Sequence, residues 1–313
     1  PSVTRTVTPT VTPTFTPTST RTPTPTRTRT PTFTPTSTRT PTITPTRSPT
    51  VNLFENGSPT SLAGWTTNTG TLSYTTGQNA DSTPGAVCLT GGSGATVFGP
   101  QTDVDINRDY YITGSWKNDR GGTGYRQYMG FACVKESGEG ITYFECWRST
   151  VRDTTLASPV TAGDTVVVIN TPSTGWYTPT NSYFQIGLPN PADPLDLPAQ
   201  AIGITNISGT SPTQTITLSG PVSQSYPTGT PVGNSFAGAS YNYSLRSNTF
   251  PEPDWATDSS VISGFNALDA PPATNEFRRG TVAVRPLALA HRFVTDGETC
   301  FDNWSIIDVE TTS

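Results

Sequence analysis

Residues 109–117, DYYITGSWK, and 127–149, QYMGFACVKESGEGITYFECWRS, decide the reading of the fold. Both mix apolar with polar or small side chains at short period, as half-buried strands do. The second turns back on itself at SGEG, a hairpin signal. Working outward, similar short strands are expected at 71–75, 85–90 (GAVCLT), 94–98, 236–247 (FAGASYNYSLRS), 280–285 (GTVAVR), 290–295 and 299–309 (TCFDNWSIIDV). Turn residues separate them and helical signals are almost absent. The pattern predicts an all-β antiparallel sandwich. The stretch 250–279, with FPEPDWATD and DAPPATNEF, reads as a long loop.

Residues 156–235 change character. They hold almost no charge and many Thr, Ser and Gly turns between short apolar runs. We read them as a small inserted β subdomain. It would divide the sandwich into 51–155 and 236–313.

Residues 1–50 form a Thr/Pro-rich arm. Every even position from Thr4 to Thr46 is Thr, and every proline is odd-numbered. Prolines this close forbid a helix and push their neighbours to extended geometry. As polyproline II, fifty residues would reach on the order of 150 Å. Proline spoils the hydrogen-bonding edge on one side only, and the other edge is free to pair with a partner sheet. The arm therefore reads as an assembly element that packs on other copies of the chain. Thr4, Thr8, Thr12, Thr16, Thr20, Thr24, Thr28, Thr32, Thr36, Thr40 and Thr44 are its representative O-glycosylation candidates, as in mucin-like stalks.

The net charge is −5. Six arginines and no acidic residue give the arm +6, which leaves −11 for the rest. Six scattered arginines, with no reading helix and no zinc pattern, do not make a nucleic-acid binder. No apolar run is long enough to span a bilayer. Charged residues are only 13%, the composition of an extracellular or cell-surface β protein. Three pairings of Cys88, Cys133, Cys146 and Cys300 are possible. A hairpin turning at SGEG puts Cys133 opposite Cys146, and Cys88 is then left for Cys300. Such disulfides fit an oxidising compartment.

The opening NLFENGSPTSLAGW (52–65), the GAVCLT and YYITGSWK strands and the closing CFDNWSIIDV resemble the jelly-roll carbohydrate-binding modules attached to secreted glycoside hydrolases. Where that family often has Phe-Glu, this chain has Ser58-Pro59. The inserted stretch resembles segments of phage tail and other fibre proteins. The resemblance implies a jelly roll. It also implies a structural Ca²⁺ between first and last strands, for which Glu55 and Asp302 occupy comparable places. No other cofactor is expected.

A carbohydrate ligand needs flat aromatic rings, and the candidates are Trp116, Tyr125, Tyr128, Trp147 and Trp255. Four N-glycosylation sequons begin at Asn56, Asn206, Asn242 and Asn303. Catalytic motifs are missing: there is no GxSxG elbow, and no two carboxylates stand out among Glu136, Glu139, Glu145, Asp254 and Asp258. The leading expectation is a non-enzymatic, secreted, glycosylated subunit of an extracellular filament or surface fibre. The alternative is a carbohydrate-binding module on a stalked adhesin or phage fibre.

Overall fold

The computed structural model describes residues 52–80, 84–119, 126–178, 180–239, 241–249, 253–291 and 297–309. The Thr/Pro arm, with its candidate glycosylation threonines, and Tyr125 lie outside the described residues. Among the described residues no helix is long and apolar enough to cross a membrane.

The chain opens with β1 (Thr66–Thr67), β2 (Thr71–Thr75), β3 (Ala86–Thr90), β4 (Ala95–Phe98), β5 (Thr102–Asp103), β6 (Asp109–Asn118) and β7 (Gln127–Val134). Its middle supplies β8 (Thr154–Thr155), β9 (Val166–Asn170), β10 (Ser182–Ile186), β11 (Gln200–Ser208), β12 (Thr213–Leu218) and β13 (Pro231–Phe236). It closes with β14 (Asn242–Thr249), β15 (Ala256–Ile262), β16 (Ala283–Ala290) and β17 (Glu298–Val309).

One sheet runs β15-β6-β17-β3-β2; a second runs β1-β4-β16-β7-β14, with β5 also paired to β16. Take β3, β4, β6, β7, β14, β15, β16 and β17 as first to eighth. The first sheet then contains sixth–third–eighth–first and the second contains second–seventh–fourth–fifth. This is the strand order of a jelly roll, as the sequence resemblance implied. Period-two alternation fills the space between the sheets. Val87 and Leu89, Ile112 and Trp116, Met129 and Phe131, and Val284 and Ala288 all join one buried cluster.

The opening NLFENG ties the first residues to the last strand. Asn52 Nδ2 donates to the Trp304 carbonyl at 2.8 Å, and its Oδ1 accepts from the amides of Phe54 and Ile306 at 3.1 Å. Gly57 lies so close that a Cβ there would stand 2.1 Å from the Trp304 carbonyl oxygen. β17 bulges between Asp302 and Ser305, with Asn303 at φ 51°. The bulge lets Phe301, Trp304 and Ile306 all enter the core.

A third sheet, β8-β13-β10-β11-β12-β9, is built from the chain between β7 and β14. It has its own apolar cluster, including Leu156, Ile169, Phe184, Ile186, Ile216 and Val232. Polar staples join it to the roll. Gln185 Nε2 donates to the carbonyls of Phe144 (2.6 Å) and Trp147 (3.0 Å). The buried Arg279 guanidinium donates to the carbonyls of Pro191 and Asp193. Buried backbone acceptors are costly to leave unmade, so these bonds fix the junction.

Three local expectations are corrected. The hairpin after β7 is tighter than expected: Val134 faces Gly140, and Ile141 donates to the Cys133 carbonyl. The chain then leaves the ladder, so 141–149 is not a strand and Cys146 never stands opposite Cys133. Both remain free, buried thiols, while Cys88–Cys300 is a disulfide. The expected loop 250–279 contains β15, an edge strand fully paired to β6. The strand expected at 280–285 runs as β16 from Ala283 to Ala290, and residues 292–295 of the one expected at 290–295 lie outside the described residues.

Candidate functional site

On the second sheet, the side chains that do not face the core carry an aromatic row. Met129, Phe131 and Cys133 point inward, so Tyr128 points out; Val97 points inward, so Phe98 points out. β14 brings the other two rings. Its register on β7 slips between Asn242 and Arg246 and again before Thr249. The slip carries residues 241–243 back over the sheet, above Gly130. A Cβ at position 130 would stand 1.9 Å from the Asn242 carbonyl oxygen, so only glycine admits this crossing.

The result is a chain of rings. Tyr128 and Tyr243 have centroids 4.8 Å apart, Tyr243 and Tyr241 6.3 Å, and Tyr241 and Phe98 5.7 Å. All four are half-buried. The Arg285 guanidinium lies 5.0 Å from the Phe98 centroid and is held by Gly99 O and Thr66 Oγ1, both at 3.1 Å. Burial pulls Arg285 below its ordinary value, yet a guanidinium stays charged at any physiological pH. Burial raises Tyr241 above the ordinary phenol value, against the opposing pull of the Arg278 charge. Its hydroxyl is therefore neutral, able to donate and accept.

Beside Tyr241 a pocket of about 370 Å³ opens between the roll and the third sheet. Its walls include Tyr143, Phe144, Tyr183 and Gly238. Phe144 and Tyr183 stack in parallel, 3.6 Å between centroids and 7° between planes. The Tyr143 ring packs against Gly238, where a Cβ would come within 2.3 Å of it. Arg278 sits beneath, buried, with Nη1 donating to the Ile141 carbonyl at 2.6 Å and Nη2 to that of Ala239 at 2.9 Å.

The aromatics expected from the sequence divide. Tyr128 belongs to the row. Trp116 and Trp147 are buried core residues, and their faces are closed to a ligand. Trp116 donates from Nε1 to Asp258 at 3.0 Å under the Arg246 guanidinium; Trp147 packs edge-on to Phe236 at 4.5 Å. Trp255 is half-buried near the Cys88–Cys300 bond on the other sheet, with Lys117 Nζ 5.4 Å from its centroid. The sequence reading missed Phe98, Tyr241 and Tyr243. The alternation Tyr241-Asn242-Tyr243 was the visible signal.

The remaining candidates are placed as follows. Glu55 is exposed, whereas Asp302 is buried and its two oxygens accept from the amides of Ala80 and Asn303 at 2.8 Å. Cys88, Glu298 and Cys300 are the one group with metal-ligating spacing among the described residues, and two of the three are a disulfide. Asn242 is buried and its Nδ2 donates to the carbonyls of Ala273 and Glu276. It cannot carry a glycan in the folded chain. Asn56 Nδ2 is engaged with the carbonyls of Ser61 and Ala63. Asn303 is half-buried beside Ser58, and Asn206 is exposed on β11.

Two carboxylates weighed for hydrolysis hold structural posts. Glu145 pairs with Lys135 at 3.1 Å and accepts from Thr142. Asp258 accepts from Arg246 at 2.6 and 2.9 Å.

By its strand order the body is a jelly-roll β-sandwich with a further antiparallel sheet between its fourth and fifth strands. No family model matches the chain, and no curated relative matches it. Among solved structures it is similar to the CBM22-1 xylan-binding domain of Paenibacillus barcinonensis Xyn10C, at 8% identity over 84% of this chain and 94% of that one, TM-score 0.35. It is also similar to the CBM22-1–GH10 modules of Clostridium thermocellum Xyn10B complexed with xylohexaose, at 9% identity over 84% of this chain and 29% of that one, TM-score 0.34. A third is the enzymatically active domain of bacteriophage CBA120 tailspike protein 4, at 11% identity over 83% and 22%, TM-score 0.33. The chain thus spans less than a third of the second and third structures.

Proposed function

We propose that the protein binds a carbohydrate chain along the outer face of the β1-β4-β16-β7-β14 sheet, without chemistry on it. The row Tyr128–Tyr243–Tyr241–Phe98 carries this reading. Pyranose rings present apolar faces that stack on aromatic side chains, while neutral phenol hydroxyls and a fixed guanidinium satisfy the sugar hydroxyls. A row of four rings suits an extended chain better than a single sugar. Glu145 and Asp258 are each engaged by a cation, Lys135 and Arg246.

The row favours this reading over the filament subunit expected from the arm. Assembly through the arm rests on residues outside those described. An extracellular or surface location fits the disulfide, and Asn206 is the sequon best exposed for a glycan. Retention of the full-length protein on insoluble polysaccharides tests the reading. Retention on at least one, abolished in Tyr243→Ala, supports it. Failure to bind any, or retention unchanged in Tyr243→Ala, refutes it.

A further inference from the structure

The pocket beside Tyr241 is not an extension of the row. Its lining includes Tyr241 but not Phe98, Tyr243 or Tyr128. Tyr241 has row neighbours on both sides, Tyr243 and Phe98. The pocket therefore meets the row at an interior ring, not at an end. At about 370 Å³ it is of a size that holds a small ligand, the usual range being roughly 300–1,000 Å³. Its walls are mixed in the way a sugar needs. Phe144 and Tyr183 stack on each other, which leaves their outer faces and edges to the cavity; Tyr143 adds a ring edge, and the tyrosines bring hydroxyls. Burial raises Tyr143 above its ordinary value, so that hydroxyl too is neutral.

The third sheet supplies part of this wall. Tyr183 stands on β10, and Ala237 and Gly238 follow β13. The staples at Gln185 and Arg279 hold the two parts in one geometry.

We infer that this pocket receives a glycosyl branch of the bound chain, so that the inserted sheet selects substituted polysaccharides over linear ones. The inference rests on the row as the binding face for the backbone of that chain. The branch sugar stacks against the aromatic wall while the main chain lies across Tyr241. Selection by a pocket of this kind is a difference of affinities between branched and linear chains.

The test is titration calorimetry of the full-length protein with three matched pairs of probes. These are xylohexaose and an arabinose-branched xylo-oligosaccharide, cellohexaose and a xylose-branched gluco-oligosaccharide, and mannohexaose and a galactose-branched manno-oligosaccharide. In at least one pair the branched member should bind about tenfold more tightly. Tyr183→Ala should abolish that preference with little effect on the linear member. Ala237→Trp, which adds bulk to the pocket lining, should do the same if Tyr183→Ala disturbs folding. Tyr128→Ala should weaken both members alike. Linear probes that bind as well as their branched partners, or a preference that survives both pocket variants, would overturn the inference and leave the row intact. Absence of binding to all six probes would overturn the row and the pocket together.

Discussion

Replacing Thr299 by Val tests how the roll is locked beside its disulfide. The Thr299 hydroxyl, fully buried on β17, accepts from Asn118 Nδ2 at 2.7 Å and from Gln127 Nε2 at 3.1 Å. It also lies 2.9 Å from His291 Nε2. Two amide donors fill its lone pairs, so its own proton goes to His291 Nε2. The ring proton then sits on Nδ1 and is donated to the Gly91 carbonyl at 2.9 Å. One hydroxyl thus joins β6, β7, β17 and the turn after β3. Valine keeps the shape and removes all three bonds. Each buried group left without this partner costs ~1–3 kcal/mol, and shared relaxation brings the sum to about 3–5 kcal/mol. For a body of this size that is a fall in Tm of about 6–20 °C. Thr299→Ser keeps the hydroxyl and loses one methyl group, worth ~1 kcal/mol. Urea and thermal unfolding followed by circular dichroism read the difference. If Thr299→Val is within about 1 kcal/mol of Thr299→Ser, the hub does not hold the strands as argued.

Other outcomes follow from the same geometry. Reducing Cys88–Cys300 opens a loop closed by 212 residues of sequence separation; chain entropy puts the loss at about 5 kcal/mol, seen as a lower urea midpoint with dithiothreitol present. Cys133 and Cys146 should resist iodoacetamide at pH 8 in the native protein and react in urea, as mass spectrometry would show. Burial pushes both thiols up, Cys146 to about 12, so the reactive thiolate is scarce. Gly57→Ala drives a Cβ into the Trp304 carbonyl and should cost at least ~2 kcal/mol in the same unfolding assay, where a surface Gly77→Ala, with open space around it, should cost little.

Much of the roll was legible because its strands obey period-two patterning. Val87 and Leu89, or Met129 and Phe131, declare one buried face with no need of tertiary knowledge. β15 was hidden because ATDSSVI is an edge strand with alternate residues in solvent; its signal is polar, and its partner β6 supplies the order. Pro286 made β16 look as though it ended at Arg285. The Gly99 amide donates to the Pro286 carbonyl at 2.9 Å, so the missing N–H faces the same edge, where β5 gives way to β4. A proline costs the ladder little at such a junction.

The pairing of Cys133 with Cys146 failed for a related reason, whereas that of Cys88 with Cys300 is present. Register was extrapolated from the SGEG turn through residues that leave the ladder after Ile141. At the site, flat aromatics on or near the strands between 109 and 149 were the candidates, and two of them belong to the core: Trp116 and Trp147 are buried, while the half-buried row is made of Tyr and Phe. Only the bulges of β14 and the bare backbone of Gly130 bring Tyr241 and Tyr243 over the sheet. Sequence spacing does not encode that slip.

The most direct measurement is the affinity of the full-length protein for whichever polysaccharide retains it, compared among wild type, Tyr243→Ala and Trp255→Ala by calorimetry. The row predicts saturable binding that falls about tenfold or more in Tyr243→Ala, from the loss of one stacking ring, and is unchanged in Trp255→Ala on the other sheet. Equal affinities in all three proteins, or a loss confined to Trp255→Ala, would contradict it.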